Sequence, residues 1–243
     1  MSATSLGALP PAIRPVLEPW LHAVSAFLHT GGTRGAEWRR LPSYAPSLVI
    51  VLCGCAYGAV MAGYHGVGGD RTLMVVYGAL KVPLLFLATM VLAAPSFYVL
   101  NLLMGVGDDF VDVWRGLGDY QLSVALQLAA LAPVTLFMNL TNGDYRTAQA
   151  WSSLMFAVAA WNARRSLNAC YRRLIARHRA HALLQRFWFV VYAFVGVQMG
   201  WDLRPFVGHP TMPVQFFRDN IGNAYVEIAN ILKLFCQQML QSL

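Results

Sequence analysis

Five runs of mostly apolar residues dominate this sequence, at residues 44–64, 73–103, 120–140, 147–163 and 185–203. A helix of about 20 apolar residues crosses a bilayer core about 30 Å thick. A backbone in lipid must satisfy its own polar groups, so continuous runs of this kind favour helices. The sequence therefore predicts an all-α fold, a polytopic membrane helix bundle with about five transmembrane helices.

Charge is scarce and unevenly distributed along the chain. Charged residues make up 12% of the sequence, against roughly 25% in soluble domains. The net charge is +7 and comes almost entirely from arginine, which is concentrated before the first run and between the fourth and fifth runs. Because basic residues favour the cytoplasmic side of a membrane, we expect the N-terminus inside and the C-terminus outside. This explanation of the charge requires no nucleic-acid partner.

Apolar residues at helical spacing flank the runs on both sides, which predicts an amphipathic helix near each terminus. The N-terminal set is Leu17, Trp20, Leu21, Val24, Phe27 and Leu28, and the C-terminal set is Phe217, Ile221, Ala224, Ile228, Ile231, Phe235 and Met239. Such helices lie in the membrane interface or bind a partner, and both alternatives remain open for the C-terminal one. We therefore divide the chain into a cytoplasmic segment (1–43), a five-helix transmembrane domain (44–205) and an extracytoplasmic connector with the C-terminal helix (206–243).

Two stretches carry a family resemblance. "ALKVPLLFLATMVLAAPSFYVLNLLMG" (Ala79–Gly105) and "GVQMGWDLRPFVG" (Gly196–Gly208), together with five runs, resemble the bacterial Yip1-like membrane proteins, a largely uncharacterised five-helix family. The resemblance covers roughly residues 44–225. It implies a compact helical bundle in a bacterial inner (cytoplasmic) membrane. By analogy with the eukaryotic relatives, it also implies a scaffold or trafficking-type role.

Lys81 is a charged residue inside the second run, about eight residues from its start, which is roughly 12 Å deep at 1.5 Å per residue. A charge at that depth costs roughly 2.5–3.5 kcal/mol, so we expect it to have a partner. Asp202, at the end of the fifth run, should emerge on the same side of the membrane. The sequence therefore predicts an intramembrane Lys81–Asp202 pair, which either joins two helices or forms part of an ion-coupled site.

Small residues four apart mark two further surfaces. Gly54, Gly58 and Ala62 share one face of the first run, and Gly196 and Gly200 share one face of the fifth. Small residues let helix backbones approach closely in lipid, where no hydrophobic force draws helices together. We expect both faces to be helix-packing surfaces.

The predicted cytoplasmic loops have opposite charges. An acidic loop carries Asp108, Asp109, Asp112 and Asp119. A basic segment carries Arg164, Arg165, Arg172, Arg173, Arg177 and Arg179, three of which recur every seven residues. We expect these arginines, and Arg204 on the other side, to bind anionic lipid headgroups or a partner protein. An aspartate cluster can also bind Mg²⁺ or a diphosphate, so a membrane enzyme acting on phosphate-bearing lipids is one alternative.

Catalytic signatures are missing from the sequence. It contains no Gly-rich phosphate loop, no metalloprotease motif and no serine elbow. All six histidines lie outside the apolar runs, which disfavours a buried haem. We therefore predict no cofactor, no metal and no catalysis. The favoured function is a membrane scaffold or accessory subunit that assembles with other membrane proteins, and a small transporter or channel using Lys81 and Asp202 is the main alternative.

Overall fold

The computed structural model describes residues 14–32, 34–65, 71–141, 144–208, 214–217 and 224–226. Every regular element within these ranges is helical. The α-helices are α1 (Arg14–His29), α2 (Ala36–Arg39), α3 (Ala45–Ala62), α4 (Arg71–Leu103), α5 (Phe110–Thr141), α6 (Tyr145–Arg177) and α7 (Ala180–Asp202), with short 3₁₀ turns before α5 and after α3. The predicted all-α bundle is confirmed. Most of the predicted C-terminal helix lies outside the described residues.

Four helices of the described chain, rather than five, are long and apolar enough to cross a membrane. They are α3, α4 from Thr72, α5 with the turn before it, and α7. The predicted fourth span, 147–163, lies in α6. Polar residues such as Gln149 and Asn162 interrupt its apolar residues, so α6 does not qualify. The prediction of five spans is therefore corrected to four.

α6 nevertheless lies antiparallel along α5. At one end only residues 142–144 separate the two helices, and at the other Arg177 binds Asp112 at 3.0 Å. Between these ends, Tyr120 donates a hydrogen bond to the Ala160 carbonyl at 3.3 Å. Asp144 caps α6 by accepting a hydrogen bond from the Thr147 amide at 3.0 Å, and its hydrogen bonds with Thr147 lower the pKa of Asp144 below its ordinary value.

The predicted acidic loop is mostly helix. α5 begins at Phe110, ten residues before the third apolar run, so it includes Asp112 in its first turn and Asp119 two turns later. A carboxylate in the first turn of a helix is favoured by the helix dipole. The sequence pattern missed this start because polar residues interrupt the apolar periodicity there.

α3 and α4 pack with their backbones in close contact. A Cβ atom added to Gly58 would lie 2.2 Å from the Gly78 carbonyl oxygen, and one added to Gly78 would lie 2.4 Å from the Ala62 Cβ. Gly54 faces Pro83, at 3.2 Å from an added Cβ. The small residues of α3 thus lie against α4, and Gly78 is the partner that the sequence reasoning did not identify.

Aromatic residues and one amide fill the centre of the bundle. The Trp188 and Tyr192 rings of α7 stack at 4.8 Å between centroids, and Tyr120 of α5 meets both edge-on. Beside them, Gln121 donates to the Phe86 carbonyl at 2.6 Å and to the Tyr192 hydroxyl at 2.5 Å. This amide joins α4, α5 and α7 in the interior.

The N-terminal segment packs against the bundle beside the start of α3. Ala23 and Phe27 of α1 form a buried cluster with Trp38, Ala45 and Leu122. The predicted amphipathic helix is α1, and the face that carries Ala23 and Phe27 is buried against the bundle. In contrast, Leu17 and Leu28, two members of the predicted apolar set, are exposed.

Candidate functional site

The bundle presents charged residues at two ends, which we name the Lys81 end and the Arg177 end. The Lys81 end comprises Lys81, Trp201–Val207 and Phe216. The Arg177 end comprises the start of α5, the end of α6 and the start of α7.

Lys81 is fully buried beneath the chain that follows α7. Its Nζ donates a hydrogen bond to the Pro205 carbonyl at 2.7 Å and lies 5.0 Å from the centroid of the Phe216 ring. A carbonyl dipole and an aromatic face both stabilise an ammonium group. Lys81 therefore attaches α4 to the segment that follows α7.

The predicted Lys81–Asp202 ion pair does not form. Asp202 is exposed and accepts a hydrogen bond from Gln198, one turn earlier in α7, at 3.0 Å. The two side chains do emerge at the same end of the bundle, as predicted. Instead, Phe216 lies over Lys81, and the Pro205 carbonyl oxygen occupies the place where a carboxylate was expected.

Arg204 was predicted to bind headgroups, and the structure shows its contacts with the end of α7, so headgroup binding stays a prediction. Its guanidinium lies over the Trp201 ring at 3.1 Å, and its Nε donates to the Trp201 carbonyl at 2.9 Å. Arg204 is half-buried and folds back on the end of α7.

At the Arg177 end, an ion-pair cluster joins α6 and α7 to the start of α5 and the 3₁₀ turn before it. Arg177 binds Asp112 at 3.0 Å and Asp109 at 3.2 Å, and these hydrogen bonds raise the pKa of its guanidinium. Asp109 also accepts from Nε2 of His181, which is fully buried, at 3.0 Å. Arg115 adds an exposed contact to Asp112 at 3.4 Å. Asp109 and Asp112 therefore have basic partners within the chain. Asp108, the third acidic residue of this region, is exposed.

A second ion pair at this end attaches the N-terminal segment. Arg34 donates from Nε to the Asp119 carboxylate and from a terminal nitrogen to the Arg115 carbonyl at 3.0 Å. Nearby, Ser166 of α6 donates to the Gly32 carbonyl. Gly32 has φ +88° and its Cα leaves no room for a side chain, since an added Cβ would lie 2.6 Å from that of Ser166. Sequence patterns did not identify this attachment.

The arginines of the predicted basic segment have different surroundings in the structure. Arg164 lies between two aromatic rings, 4.5 Å from Trp161 and 4.6 Å from Phe189, and so joins α6 to α7. α6 ends at Arg177, so Arg179 belongs to the next connection rather than to one continuous stripe. The remaining predicted arginines are exposed, namely Arg165, Arg172, Arg173 and Arg179.

The predicted glycine face of α7 packs only loosely. An added Cβ at Gly196 would make an ordinary contact of 3.6 Å with Thr89, and one at Gly200 would meet nothing within 4 Å. Gly200 is therefore not a close-packing residue among the described parts of the chain.

Three contacts at these ends were absent from the sequence reasoning: Arg34–Asp119, Asp109–His181 and Lys81–Pro205. Each joins residues more than 70 positions apart, so local periodicity could not reveal it. The described ranges hold no group of three or more His, Cys, Asp or Glu residues placed to bind a metal.

No family model, curated protein or solved structure matches this chain. The Yip1-like resemblance therefore stays a prediction, and function must be argued from the geometry.

Proposed function

We propose that this protein is a non-enzymatic integral membrane scaffold or accessory subunit, placed in a bacterial inner membrane with its N-terminus cytoplasmic. It would act by packing laterally with other membrane proteins. The observation that carries this proposal is the outer face of α6, which is exposed along the bundle. That face includes Gln149, Ser153, Ala157, Val158, Trp161 and Asn162.

α6 lies along the spanning helix α5 but is not apolar enough to qualify as a span itself. Its outer face mixes exposed apolar residues, such as Leu154 and Trp161, with polar ones that are poorly suited to lipid. Polar side chains within a bilayer normally face protein or water, because leaving them in hydrocarbon is costly. Small and polar residues are instead typical of contacts between membrane helices. Ala157, Val158, Trp161 and Asn162 also line a shallow hollow on this surface. A helix from another membrane protein would fill the hollow and give Asn162 a hydrogen-bonding partner.

The exposed arginines suit a second interaction at the Arg177 end. Arg165, Arg172 and Arg173 lie on the surface of α6, where anionic lipid headgroups could bind them. Lipid binding there would hold the bundle at a fixed depth while α6 engages its partner.

The two alternative functions lose the contacts on which they depended. Transport was argued from a Lys81–Asp202 pair, but Lys81 binds a backbone carbonyl. Catalysis was argued from free aspartates, but Asp109 and Asp112 bind Arg177. Neither alternative is favoured by a specific contact in the described chain.

Site-specific photo-crosslinking in native membranes tests the scaffold proposal. A photoreactive residue at Val158 should yield a crosslinked product with another membrane protein. The matched control places it at Leu87 of α4, which is 60% exposed on an apolar face, and should yield lipid adducts only. Lipid adducts alone at both positions would contradict the proposal.

A further inference from the structure

α1 has two apolar arcs, and the described bundle covers one of them. The covered arc holds Ala23 and Phe27, which are 0% and 1% exposed. At 3.6 residues per turn, four more apolar side chains lie about a third of a turn further around the helix. We name these four the outer arc: Leu17, Leu21, Val24 and Leu28. Leu17 and Leu28 are exposed, and the other two are half-buried.

A polar arc completes the surface of α1. Glu18, His22 and His29 lie beyond the outer arc, and all three are exposed. Glu18 and His22 contact each other at 3.8 Å, one turn apart. The surface of α1 therefore passes from protein contacts to uncovered apolar side chains and then to polar ones. This order suits a helix that has lipid on one side and water on another.

α1 lies at the level where α3 enters the membrane. α3 has 18 residues, so it is about 27 Å long and nearly matches a bilayer core about 30 Å thick. Its two ends therefore lie near the two boundaries of the core. Ala45, the first residue of α3, belongs to the buried cluster of α1. Tyr44, just before it, is 61% exposed, and tyrosine is enriched at membrane interfaces.

The outer arc also adjoins the lipid-facing surface of α3. The cluster of α1 packs against Ala45 and Val49 on one face of that helix. On the neighbouring face, Leu48 and Leu52 are exposed, and α3 is apolar enough to span a membrane. Lipid that contacts Leu48 and Leu52 is therefore next to α1.

The charges close to α1 are complementary to an anionic membrane surface. Trp38 of α2 contacts the Phe27 ring edge-on at 6.2 Å between centroids. Arg39 and Arg40 follow Trp38 directly, and both are exposed. Basic side chains at the level of the headgroups attract anionic lipids.

We propose that α1 is an interfacial helix, which inserts its outer arc between the lipid headgroups beside the start of α3. The occupant of this apolar surface is the bilayer itself, and the polar arc faces water. The contacts of Arg34 with Asp119 and of Ser166 with Gly32 attach the same segment to α5 and α6. Insertion of α1 therefore holds the bundle at a defined depth in the membrane.

Fluorescence quenching in vesicles of phosphatidylcholine and phosphatidylglycerol tests this position. In a full-length chain with Cys53, Cys55, Cys170 and Cys236 replaced by alanine, Leu28→Cys or Leu17→Cys carries an environment-sensitive fluorophore. The matched control is His22→Cys, in the polar arc of the same helix. Lipids with a nitroxide near the headgroup should quench the outer-arc labels at least threefold more than the control, and aqueous iodide should show the reverse order.

Two quenching results would overturn the proposal. Equal quenching by iodide at Leu28→Cys and His22→Cys would place both arcs in water. Protection of Leu28→Cys from both quenchers would mean that protein, such as a second copy of this chain, covers the outer arc.

Photo-crosslinking to lipid in native membranes gives a second measurement on the unaltered chain. Lipids with a photoreactive group in the acyl chain, close to the glycerol, should form adducts within residues 15–28. Adducts on residues 48–52 of α3 provide the positive control. Labelling of α3 without labelling of α1 would refute the proposal.

These experiments are independent of the scaffold proposal, because they do not involve the outer face of α6. α1 can fail to contact lipid while α6 still binds a partner, and the reverse is also true.

Discussion

The two ends of the bundle hold their charged residues in different ways. Lys81 is fully buried, and its contacts are one backbone carbonyl and one aromatic ring. Arg177 is 60% exposed and binds two carboxylates. An exposed ion pair competes with water and contributes little to stability, whereas a buried polar group left unpaired is costly. The comparison indicates that burial, rather than the number of ionic contacts, determines which contacts hold the bundle together.

The largest effect should come from the α3–α4 backbone contact near the Lys81 end, where no charge is involved. Gly78→Val would place its Cβ 2.4 Å from that of Ala62 and 2.6 Å from the Gly58 carbonyl. Overpacking a core side chain costs about 1–3 kcal/mol, and separating two backbones should cost more. We expect loss of monodisperse protein on size-exclusion chromatography in mild detergent.

The control for this change is Gly200→Ala, whose added Cβ meets nothing within 4 Å. It should elute and melt like the parent chain. A monodisperse Gly78→Val protein with an unchanged melting temperature would show that the close α3–α4 contact does not contribute to the stability of the bundle.

The next effect concerns the half-buried pair at the Arg177 end. Arg34→Met removes the cation from Asp119, whose side chain is only 11% exposed. Removing one partner of a buried pair costs about 3–5 kcal/mol, and the partial exposure of Arg34 lowers our expectation to about 2–4 kcal/mol. Limited proteolysis should also release the N-terminal segment sooner.

Arg40→Met is the matched control, because Arg40 is 78% exposed and its one ion pair with a described residue is with Glu37, at 3.5 Å. It should change stability by less than about 0.5 kcal/mol. If both variants behaved alike, burial would not explain the difference between ion pairs at this end.

A smaller effect is expected for Lys81. Lys81→Met keeps most of the side-chain volume but leaves the half-buried Pro205 carbonyl without its donor. An unsatisfied buried acceptor costs about 1–3 kcal/mol, and the partial exposure of Pro205 places our expected loss in thermal or denaturant unfolding at about 1 kcal/mol, the low end of that range. Asp202→Asn should cost less than about 0.5 kcal/mol, because Asp202 is exposed. Equal losses of stability for both variants would contradict the structure and indicate that Lys81 and Asp202 form an ion pair.

The sequence predicted the bundle well, because lipid demands long apolar helices and these are visible as continuous runs. It was wrong to count α6 as a transmembrane span. Polar residues make this helix less apolar than a span requires, although they do not prevent it from forming a helix along α5. The sequence placed Asp202 at the same end as Lys81 correctly, because α6 runs back along α5 and so preserves the alternating helix directions that five runs implied. It could not predict that Pro205 would supply the partner, because that contact depends on an irregular segment 124 residues away.

The smallest effect should come from the exposed edge of the Arg177 cluster. Arg115 is 69% exposed and contacts Asp112, 41% exposed, at 3.4 Å. Exposed pairs of this kind contribute about 0–1 kcal/mol and weaken with salt. Arg115→Ala should therefore lower the melting temperature slightly in low salt and not at all in 0.5 M NaCl. A large loss that persists in high salt would mean that this surface pair is as important as the buried contacts, and the distinction by burial would fail.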